Sequence, residues 1–343
     1  MNRDRFQQIT DRYPSLRVAI VGDFCLDRYF DIDPARQEIS IETNLPVHNI
    51  VRIRCQPGAA GTILNNLVAL GIGKILPIGI CGDDGEGFEL RRSLDARKGV
   101  DVSLFVTSPE RRTFTYTKPL VFSPGKAPEE LSRLDIKNWT PTPQSLQDAV
   151  IAAMRKAAPQ VDAMILLDQV DIAETGVITG KVLEAVRAIV ADHPKLFVIA
   201  DSRRGLKDYP KVALKMNRSE LCAMTGRQFC EVDEVRHAAG QLAQSHGRPV
   251  FVTLAEKGIV GAAPGQAAFH RSALPLRGEI DIVGAGDSVT ANLTVALAAG
   301  AGIDEAIDFA IAASSLVIHQ LGTTGAASPA EIESLMQTEG LFR

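Results

Sequence analysis

Short apolar runs of strand length alternate along the chain with longer segments in which apolar residues recur at helical spacing. This alternation is typical of an α/β fold built on a largely parallel sheet. The apolar runs predict buried strands at residues 17–22, 74–81, 163–167, 196–201, 212–217 and 250–254. The helical spacing predicts helices at residues 61–71, 85–99, 144–157, 174–192, 233–246, 286–299 and 304–320.

Two segments, residues 28–56 and 102–136, break the alternation because they contain strand-like stretches with no helix between them. In the second segment Phe114 and Tyr116 alternate with threonines, as in a half-buried strand. We interpret both as insertions that form one small β-sheet, a lid over a cleft within a single domain of residues 1–343. The alternative is a pair of long ordinary loops, which are uncommon without a role.

Polar residues follow several predicted strands at the point where each strand ends. In an open parallel sheet, ligands bind beyond the carboxyl ends of the strands. Each polar residue alone is explained as a loop solubiliser or a helix cap, but together they predict a polar cleft. They are Asp23, Asp27, Asp168, Asp201, Asn217 and Thr253.

The strongest single motif is the turn DIVGAGDS at residues 281–288, which is followed by an apolar helix. Gly284 and Gly286 allow backbone N–H groups to approach an anion, and the helix N-terminus adds a positive end. Asp287 alone would suit an N-cap. Asp281 and the apolar helix instead favour phosphoryl transfer in which Asp287 takes a proton from a hydroxyl. The same helix end predicts a depressed pKa for Asp287.

Composition and charge exclude other classes of function. The 343-residue chain has a net charge of −4 and an aromatic fraction of 5%, so we expect no nucleic-acid partner. Apolar runs fall far short of the ~20 residues that a membrane span needs, so we expect no membrane. The polar N-terminus does not resemble a secretory signal, and five cysteines without a C-x-x-C pair predict free thiols in the cytoplasm. P-loop and dinucleotide-binding fingerprints are also absent from the sequence.

These motifs resemble those of the ribokinase-like (PfkB) carbohydrate kinases, and within that family the kinase domains that act on heptose phosphates. The most specific match is D-x-x-G-A-G-D, from Asp281 to Asp287. The resemblance spans residues 16–328, with further matches at residues 22–29, 57–60, 217–220, 253–258 and 320–323.

The resemblance implies a doubly wound, mostly parallel sheet with helices on both faces and a small β-sheet lid that often forms a homodimer contact. It also implies ATP and Mg²⁺ as cofactors and phosphate transfer to a hydroxyl of a sugar or sugar phosphate, with a heptose phosphate as one candidate. Asp287 would be the catalytic base. The amides of Ala285, Gly286 and Asp287, which follow Gly284, would form the anion hole for the γ-phosphate.

The family also suggests residues for each ligand. Asp27 would hold sugar hydroxyls, and Asn217 and Glu220 would organise Mg²⁺ and its waters. The remaining candidates are Gly58, Ala59 and Thr62 for the sugar, and Thr253, Glu256, Gly258 and His319 for the nucleotide.

Other residues are substrate candidates because of where they lie along the chain. Asp168 follows a predicted strand, and Lys118 lies in the predicted lid. Lys118 and Arg203 are surface cations by default, and the alternative is that they bind a phosphate already on the sugar.

The sequence departs from the family at the sugar-binding stretch and at the nucleotide turn. Ala59 and Thr62 stand where the family has Gly and Asn, and Ala255 replaces another Gly. Because a hydroxyl lacks the paired donor and acceptor of an amide, we expect sugar recognition to differ in detail.

Two other functions stay open. A nucleoside kinase on the same fold is disfavoured because the sequence offers no extra aromatic residue near Asp27 to stack on a base. A non-catalytic carbohydrate-sensing relative is disfavoured by the intact turn ending at Asp287 and by Asn217 and Glu220.

Overall fold

The structure is a computed structural model, and it describes residues 1–322 and 324–342. Its strands are, in chain order, β1 Arg17–Gly22, β2 Phe24–Ile32, β3 Glu38–Ile39, β4 Pro46–Val47, β5 Ile50–Ala59, β6 Lys74–Ile78, β7 Ile80–Gly82, β8 Val106–Ser108, β9 Thr115–Val121, β10 Glu129–Glu130, β11 Leu134–Ile136, β12 Ala163–Asp168, β13 Phe197–Ser202, β14 Ala213–Asn217, β15 Val250–Thr253, β16 Ile259–Ala262 and β17 Phe269–Arg271. Its α-helices are α1 Arg3–Thr10, α2 Ala60–Ala69, α3 Gly85–Asp95, α4 Gln144–Ala157, α5 Gly180–Asp192, α6 Arg218–Thr225, α7 Val232–His246, α8 Ala285–Ala298, α9 Ile303–Val317 and α10 Pro329–Thr338.

Eight strands form the main sheet, in the order β17-β16-β15-β14-β13-β12-β1-β6. The strands from β15 to β6 are parallel, whereas β16 and β17 are antiparallel at one edge. Because β1 lies between β6 and β12, the chain reverses its winding direction there. The carboxyl ends of β1 and β12 therefore form the topological switch point at which ligands of such sheets bind.

Two apolar cores cover the two faces of the main sheet. One contains buried residues of α1, α2, α3, α8, α9 and α10. The other contains buried residues of α4, α5, α6 and α7. The predicted α/β class, with helices on both faces of a mostly parallel sheet, is confirmed.

A second sheet has the order β10-β9-β2-β5, with β11 paired to β9. Its strands come from residues 24–59 and 115–136, so both predicted insertions contribute to one sheet. Strand β2 runs parallel to β9 and antiparallel to β5, which places Asp27 beside Tyr116 on one side and Gln56 on the other. We call these five strands the lid sheet.

Several predicted bounds were wrong for local reasons. The predicted strand at residues 74–81 is divided into β6 and β7. The helix predicted from residue 174 begins at Gly180, because the Thr179 side chain caps it by accepting from the Val182 amide. Helices α1, α6 and α10 and strands β16 and β17 were not predicted. Among the described helices, each is too short or too polar to cross a bilayer.

Candidate active site

The carboxyl edge of the main sheet and the inner face of the lid sheet enclose a cleft of about 630 Å³. Predicted site residues that line it are Asp27, Ala59, Thr62, Lys118, Asp168, Glu220, Gly284, Gly286 and Asp287. The lid sheet and the DIVGAGDS turn thus border one space, to which the second insertion and the residues flanking the first contribute side chains.

The turn before α8 is fixed by Asp281 and Gly284. Asp281 Oδ1 accepts from the Val283 amide at 3.0 Å, while its own amide donates to the Ile318 carbonyl at 2.8 Å. Gly284 is the N-cap of α8 with φ of +84°, a backbone conformation that favours glycine.

The predicted anion hole is smaller than expected. The Ala285 amide donates to the Ile282 carbonyl at 3.2 Å, so this amide is already used within the turn. Within the described chain, the amides of Gly286 and Asp287 have no acceptor, as is typical of the first turn of a helix. Two free N–H groups therefore face the cleft region instead of three.

Asp287 lies in the first turn of α8, but it is not the helix cap, because Gly284 holds that position. Burial, followed by the nearby negative charge of Asp201, raises the pKa of Asp287 from 3.8 to about 7. The expected depression of this pKa by the helix end is therefore wrong. Desolvation of the carboxylate outweighs the helix dipole and the opposing charge of Lys215.

Helix α8 is buried but not fully apolar, contrary to the expectation from its sequence. Thr290, Asn292 and Thr294 are all buried in it. Each donates to a carbonyl four residues earlier. Thr290 Oγ1 also lies 3.0 Å from Asp201 Oδ2, which connects the helix to the end of β13.

Lys215 is a site residue that the sequence analysis missed. It lies within β14 with its side chain 8% exposed, and its Nζ donates to Asp201 Oδ2 at 2.7 Å. The charges of Asp201 and Asp287 hold the pKa of Lys215 above its ordinary value although burial opposes them. A lysine inside an otherwise apolar strand was the available signal, because lysine is rarely buried without a function or a partner.

Asp27 is buried in the lid sheet, with Lys118 Nζ 3.8 Å from its Oδ1. Burial raises the pKa of Asp27, while Lys118 lowers it. Gly58 explains how β5 comes so close, because a Cβ at this position would lie 2.6 Å from Asp27 Oδ2. The expectation of no extra aromatic residue near Asp27 is wrong, since Tyr116 lines the cleft beside it.

The cleft also holds cations from both sheets. Arg133 lies over the Tyr116 ring, 5.0 Å from its centroid, and Arg203 follows β13. Lys118, Lys137 and Lys215 also line the cleft, so five cationic side chains of the described chain lie there.

Asp168 lines the cleft, but its carboxylate is already engaged. It accepts from Ser202 at 2.9 Å, from Arg204 at 2.7 Å and from Tyr209 at 3.3 Å. These bonds hold the loop after β13 against Asp168, and the substrate contact of Asp168 stays a prediction.

Asn217 and Glu220 form a reciprocal capping box at the start of α6. Asn217 Oδ1 accepts from the Glu220 amide at 2.9 Å, and Glu220 Oε2 accepts from the Asn217 amide at 2.7 Å. Glu220 also lines the cleft. Within the residues that the structure describes, no cluster of three or more His, Cys, Asp or Glu side chains could hold a metal ion. The side-chain oxygens of Asn217 and Glu220 are of the kind that suits Mg²⁺, which usually keeps several waters and binds phosphate oxygens.

The predicted nucleotide residues lie outside the cleft lining. Thr253 ends β15, and Glu256 and Gly258 belong to the turn that follows. His319 Nδ1 bonds the Ser315 carbonyl at 2.6 Å, and its Nε2 accepts from the Arg277 amide at 2.9 Å. Both ring nitrogens are thus used, so the predicted nucleotide contact of His319 is restricted to the ring face.

The last matched segment, residues 320–323, includes Thr323, which lies outside the described residues.

Two departures from the family keep the backbone that glycine favours. Ala59 has φ of 53° and Ala255 has φ of 51°. Both positions thus preserve the backbone of the replaced glycine at a cost in strain.

Comparisons with known proteins add independent findings. Residues 176–331 match the model of the pfkB family of carbohydrate kinases. The chain is similar to the bifunctional protein HldE of Hyphomonas neptunium, with 32% identity over 98% of this chain and 66% of that protein. It is 31% identical to HldE of Pectobacterium atrosepticum over 93% of this chain and 63% of that protein. The chain spans somewhat less than two thirds of the length of these relatives.

Solved structures show a likeness of fold. Phosphofructokinase-2 from Escherichia coli, in complex with fructose-6-phosphate, has a TM-score of 0.67 at 18% identity, covering 95% of this chain and 99% of that chain. Ribokinase from Arabidopsis thaliana, complexed with ribose and ATP, has a TM-score of 0.65 at 20% identity, covering 94% and 99%. The predicted ribokinase-like fold is confirmed.

Proposed function

The chain carries a pfkB family carbohydrate kinase domain, and from this premise we propose that it transfers the γ-phosphate of ATP to a hydroxyl group of a sugar phosphate. The predicted enzyme class, a phosphotransferase with an alcohol acceptor, agrees with that family. One observation carries the proposal. The partly buried carboxylate of Asp287 lies at the start of α8, where the amides of Gly286 and Asp287 have no acceptor within the described chain, and it lines the same cleft as Asp27.

In the proposed reaction Asp287 accepts the proton of the attacking hydroxyl. A pKa of about 7 suits this role, because a general base works best when its pKa lies near the operating pH. The free amides of Gly286 and Asp287 bind the oxygens of the transferred phosphoryl group at the positive end of the helix. The base and the anion site thus lie on adjacent residues of one rigid element.

Asp27 would hold hydroxyls of the acceptor from the lid sheet, since Lys118 Nζ lies 3.8 Å from Asp27 Oδ1, which is longer than an ordinary hydrogen bond. Lys118, Arg133 and Arg203 supply positive charge at the same cleft. Cations at that place suit an acceptor that already carries a phosphate. We therefore propose a sugar phosphate, with a heptose phosphate as the first candidate from the family resemblance.

ATP would bind along the carboxyl edge beyond β14 and β15, where the predicted nucleotide residues lie. Exposed apolar side chains close in sequence to Arg277 and His319, which bond each other, offer a surface for the base: Leu276, Ile280 and Leu321. Mg²⁺ would be held by the phosphates, its waters and the oxygens of Asn217 and Glu220, and it would neutralise phosphate charge.

The proposal includes a homodimer formed through the lid sheet and a cytoplasmic location. Apolar side chains that lie exposed around this sheet include Ile41, Leu45 and Ile53. Exposed apolar patches of this kind mark interaction sites. A cytoplasmic location agrees with the use of ATP and with the free cysteines of the described chain.

The test is ADP release with ATP and Mg²⁺, screened over sugars, sugar phosphates including heptose phosphates, and nucleosides. We expect turnover with a sugar phosphate at a kcat/KM well above that of the unphosphorylated sugar. Turnover with nucleosides alone would replace the proposal by a nucleoside kinase, in which Tyr116 would stack on the base. A melting shift with a sugar but no ADP from any acceptor would indicate the sensing protein instead.

A further inference from the structure

Lys215 has more hydrogen-bonding capacity than its surroundings use. Its ammonium is buried and donates to Asp201 Oδ2 at 2.7 Å. An ammonium carries three donors, and among the described residues no second acceptor is bonded to it. A buried charged donor that stays unsatisfied is costly, so the two remaining N–H groups point to a ligand.

The position of Lys215 says which part of the cleft that ligand would occupy. A Cβ built on Gly286 would lie 3.1 Å from Lys215 Nζ, so the ammonium lies directly against the backbone of the anion hole. Gly286 carries one of the two free amides, and Lys215, Gly286 and Asp287 line the same cleft. Positive charge and free N–H donors therefore meet at one place.

The ion pair with Asp201 does not by itself explain why a lysine occupies position 215. Asp201 Oδ2 already accepts from Thr290 at 3.0 Å, so Asp201 has a neutral partner as well as the ammonium. Both bonds hold the end of β13 against α8 and β14. This arrangement fixes the direction of the lysine side chain and leaves its other donors free.

We propose that Lys215 is a catalytic residue that donates to the oxygens of the phosphoryl group while it passes from the nucleotide to the acceptor. This inference rests on the proposed function. In the step, the bond between the γ-phosphorus and the β–γ bridging oxygen breaks, and a bond from the acceptor oxygen to the γ-phosphorus forms. The hydroxyl proton goes to Asp287, and the ADP oxygen keeps the electron pair. Lys215 keeps its proton throughout and neutralises charge on the equatorial oxygens.

The first test is Lys215→Met, which keeps the unbranched side chain up to the ε position and removes the charged ammonium. Loss of one preorganised donor to a developing charge lowers kcat roughly 100- to 1,000-fold. We expect that loss with the KM of the acceptor unchanged. Binding of ADP with aluminium fluoride, which mimics the transferring phosphoryl group, should weaken at least as much while binding of ADP alone stays the same. Lys211→Met, at an exposed lysine just before the same strand, is the matched control and should change neither readout.

A second pair of variants separates catalysis from folding. Lys215→Met leaves the partly buried Asp201 without its cation, so the variant is compared with Asp201→Asn and with the double variant Lys215→Met/Asp201→Asn. We expect the double variant to melt like Asp201→Asn and to have a kcat at least 100-fold lower than Asp201→Asn. Equal kcat values in these two variants would make Lys215 a structural partner of Asp201 and overturn the inference.

The two proposals fail in different ways. A wild-type protein that phosphorylates a sugar phosphate, together with a fully active Lys215→Met variant, overturns the role of Lys215 and leaves the proposed function. A wild-type protein that neither turns over any acceptor nor binds ADP with aluminium fluoride overturns both.

Discussion

The two walls of the cleft are built differently. The floor consists of the start of α8 and the ends of β13 and β14, where buried polar groups bond one another, as Lys215, Asp201 and Thr290 do. The roof is the lid sheet, whose inner residues Asp27 and Lys118 lie 3.8 Å apart and whose surroundings expose apolar side chains such as Ile53. The floor is thus fixed by the core, whereas the roof is fixed mainly by its own strands.

This difference separates two tasks. The groups that we propose to act on the phosphoryl group lie on the floor, where the rigid main sheet holds them in place for a reaction that depends on positioning. Groups that would touch the acceptor lie on the roof, where strand pairing brings residues of both insertions together. We therefore expect floor variants to change kcat and roof variants to change the KM of the acceptor.

The largest effect is expected for Asp287→Asn on the floor. The amide keeps the shape of the carboxylate but accepts no proton from the hydroxyl, so kcat should fall roughly 100- to 10,000-fold. Because Gly284 and not Asp287 caps α8, the fold should survive. Steady-state kinetics and a thermal melt check this. A variant that keeps more than about a tenth of the wild-type kcat would remove Asp287 as the base.

The next effect concerns Asp27→Asn on the roof. Loss of a charged hydrogen-bond partner costs about 1.5–3 kcal/mol, so the KM of the acceptor should rise roughly 10- to 100-fold while the KM of ATP stays unchanged. Asp31→Asn is the matched control, because Asp31 lies on the same strand and pairs with Arg54 at 2.8 Å. Equal losses for both substrates would contradict the division between floor and roof.

The elements of the fold also differ in how well the sequence predicts them. The predicted strand at residues 17–22 and helix at residues 144–157 coincide with β1 and α4, because strong apolar patterns end at clear boundaries. Helix α10 was missed although Ser328 and Glu331 form a capping box at its start. Short terminal helices and the antiparallel edge strands have weak patterns, and tertiary packing decides them.

The sequence predicts those residues of the candidate site that belong to local motifs. Asp287 and Gly284 stand within a recognisable turn and Asp27 follows the first predicted strand, so the sequence points to them. Lys215 and Arg133 were missed, because their places in the cleft follow from strand order and from the pairing of two distant insertions. The raised pKa of Asp287 was missed for the same reason, since Asp201 comes near it through the fold and not through the sequence.

A third prediction tests the raised pKa of Asp287, on the floor of the cleft, through the stability of the protein. Because burial raises the pKa of Asp287 from 3.8 to about 7, the folded protein holds a proton that the unfolded chain releases. This contribution to stability is fully present below pH 3.8 and is lost as pH rises toward 7. Asn carries no such proton, so the melting temperature of Asp287→Asn relative to wild type should rise between pH 5 and pH 8. A constant difference across this range would contradict the raised pKa.

The smallest effect is expected from restoring glycine at Ala59, where the roof meets the floor. Ala59 has φ of 53° and ψ of −118°, a conformation that costs an alanine about 1–3 kcal/mol. Glycine adopts it freely, but it also increases the conformational entropy of the unfolded chain by up to about 1 kcal/mol. Ala59→Gly should therefore stabilise the protein by about 1 kcal/mol, as measured by denaturant unfolding. Ala69→Gly, at the last residue of α2, is the control. Glycine costs about 1 kcal/mol in a helix, so this variant should lower the stability. If Ala59→Gly instead lowers stability while raising the KM of the acceptor, the Ala59 methyl group contacts the sugar. The strained backbone at Ala59 would then help the lid sheet to recognise the acceptor.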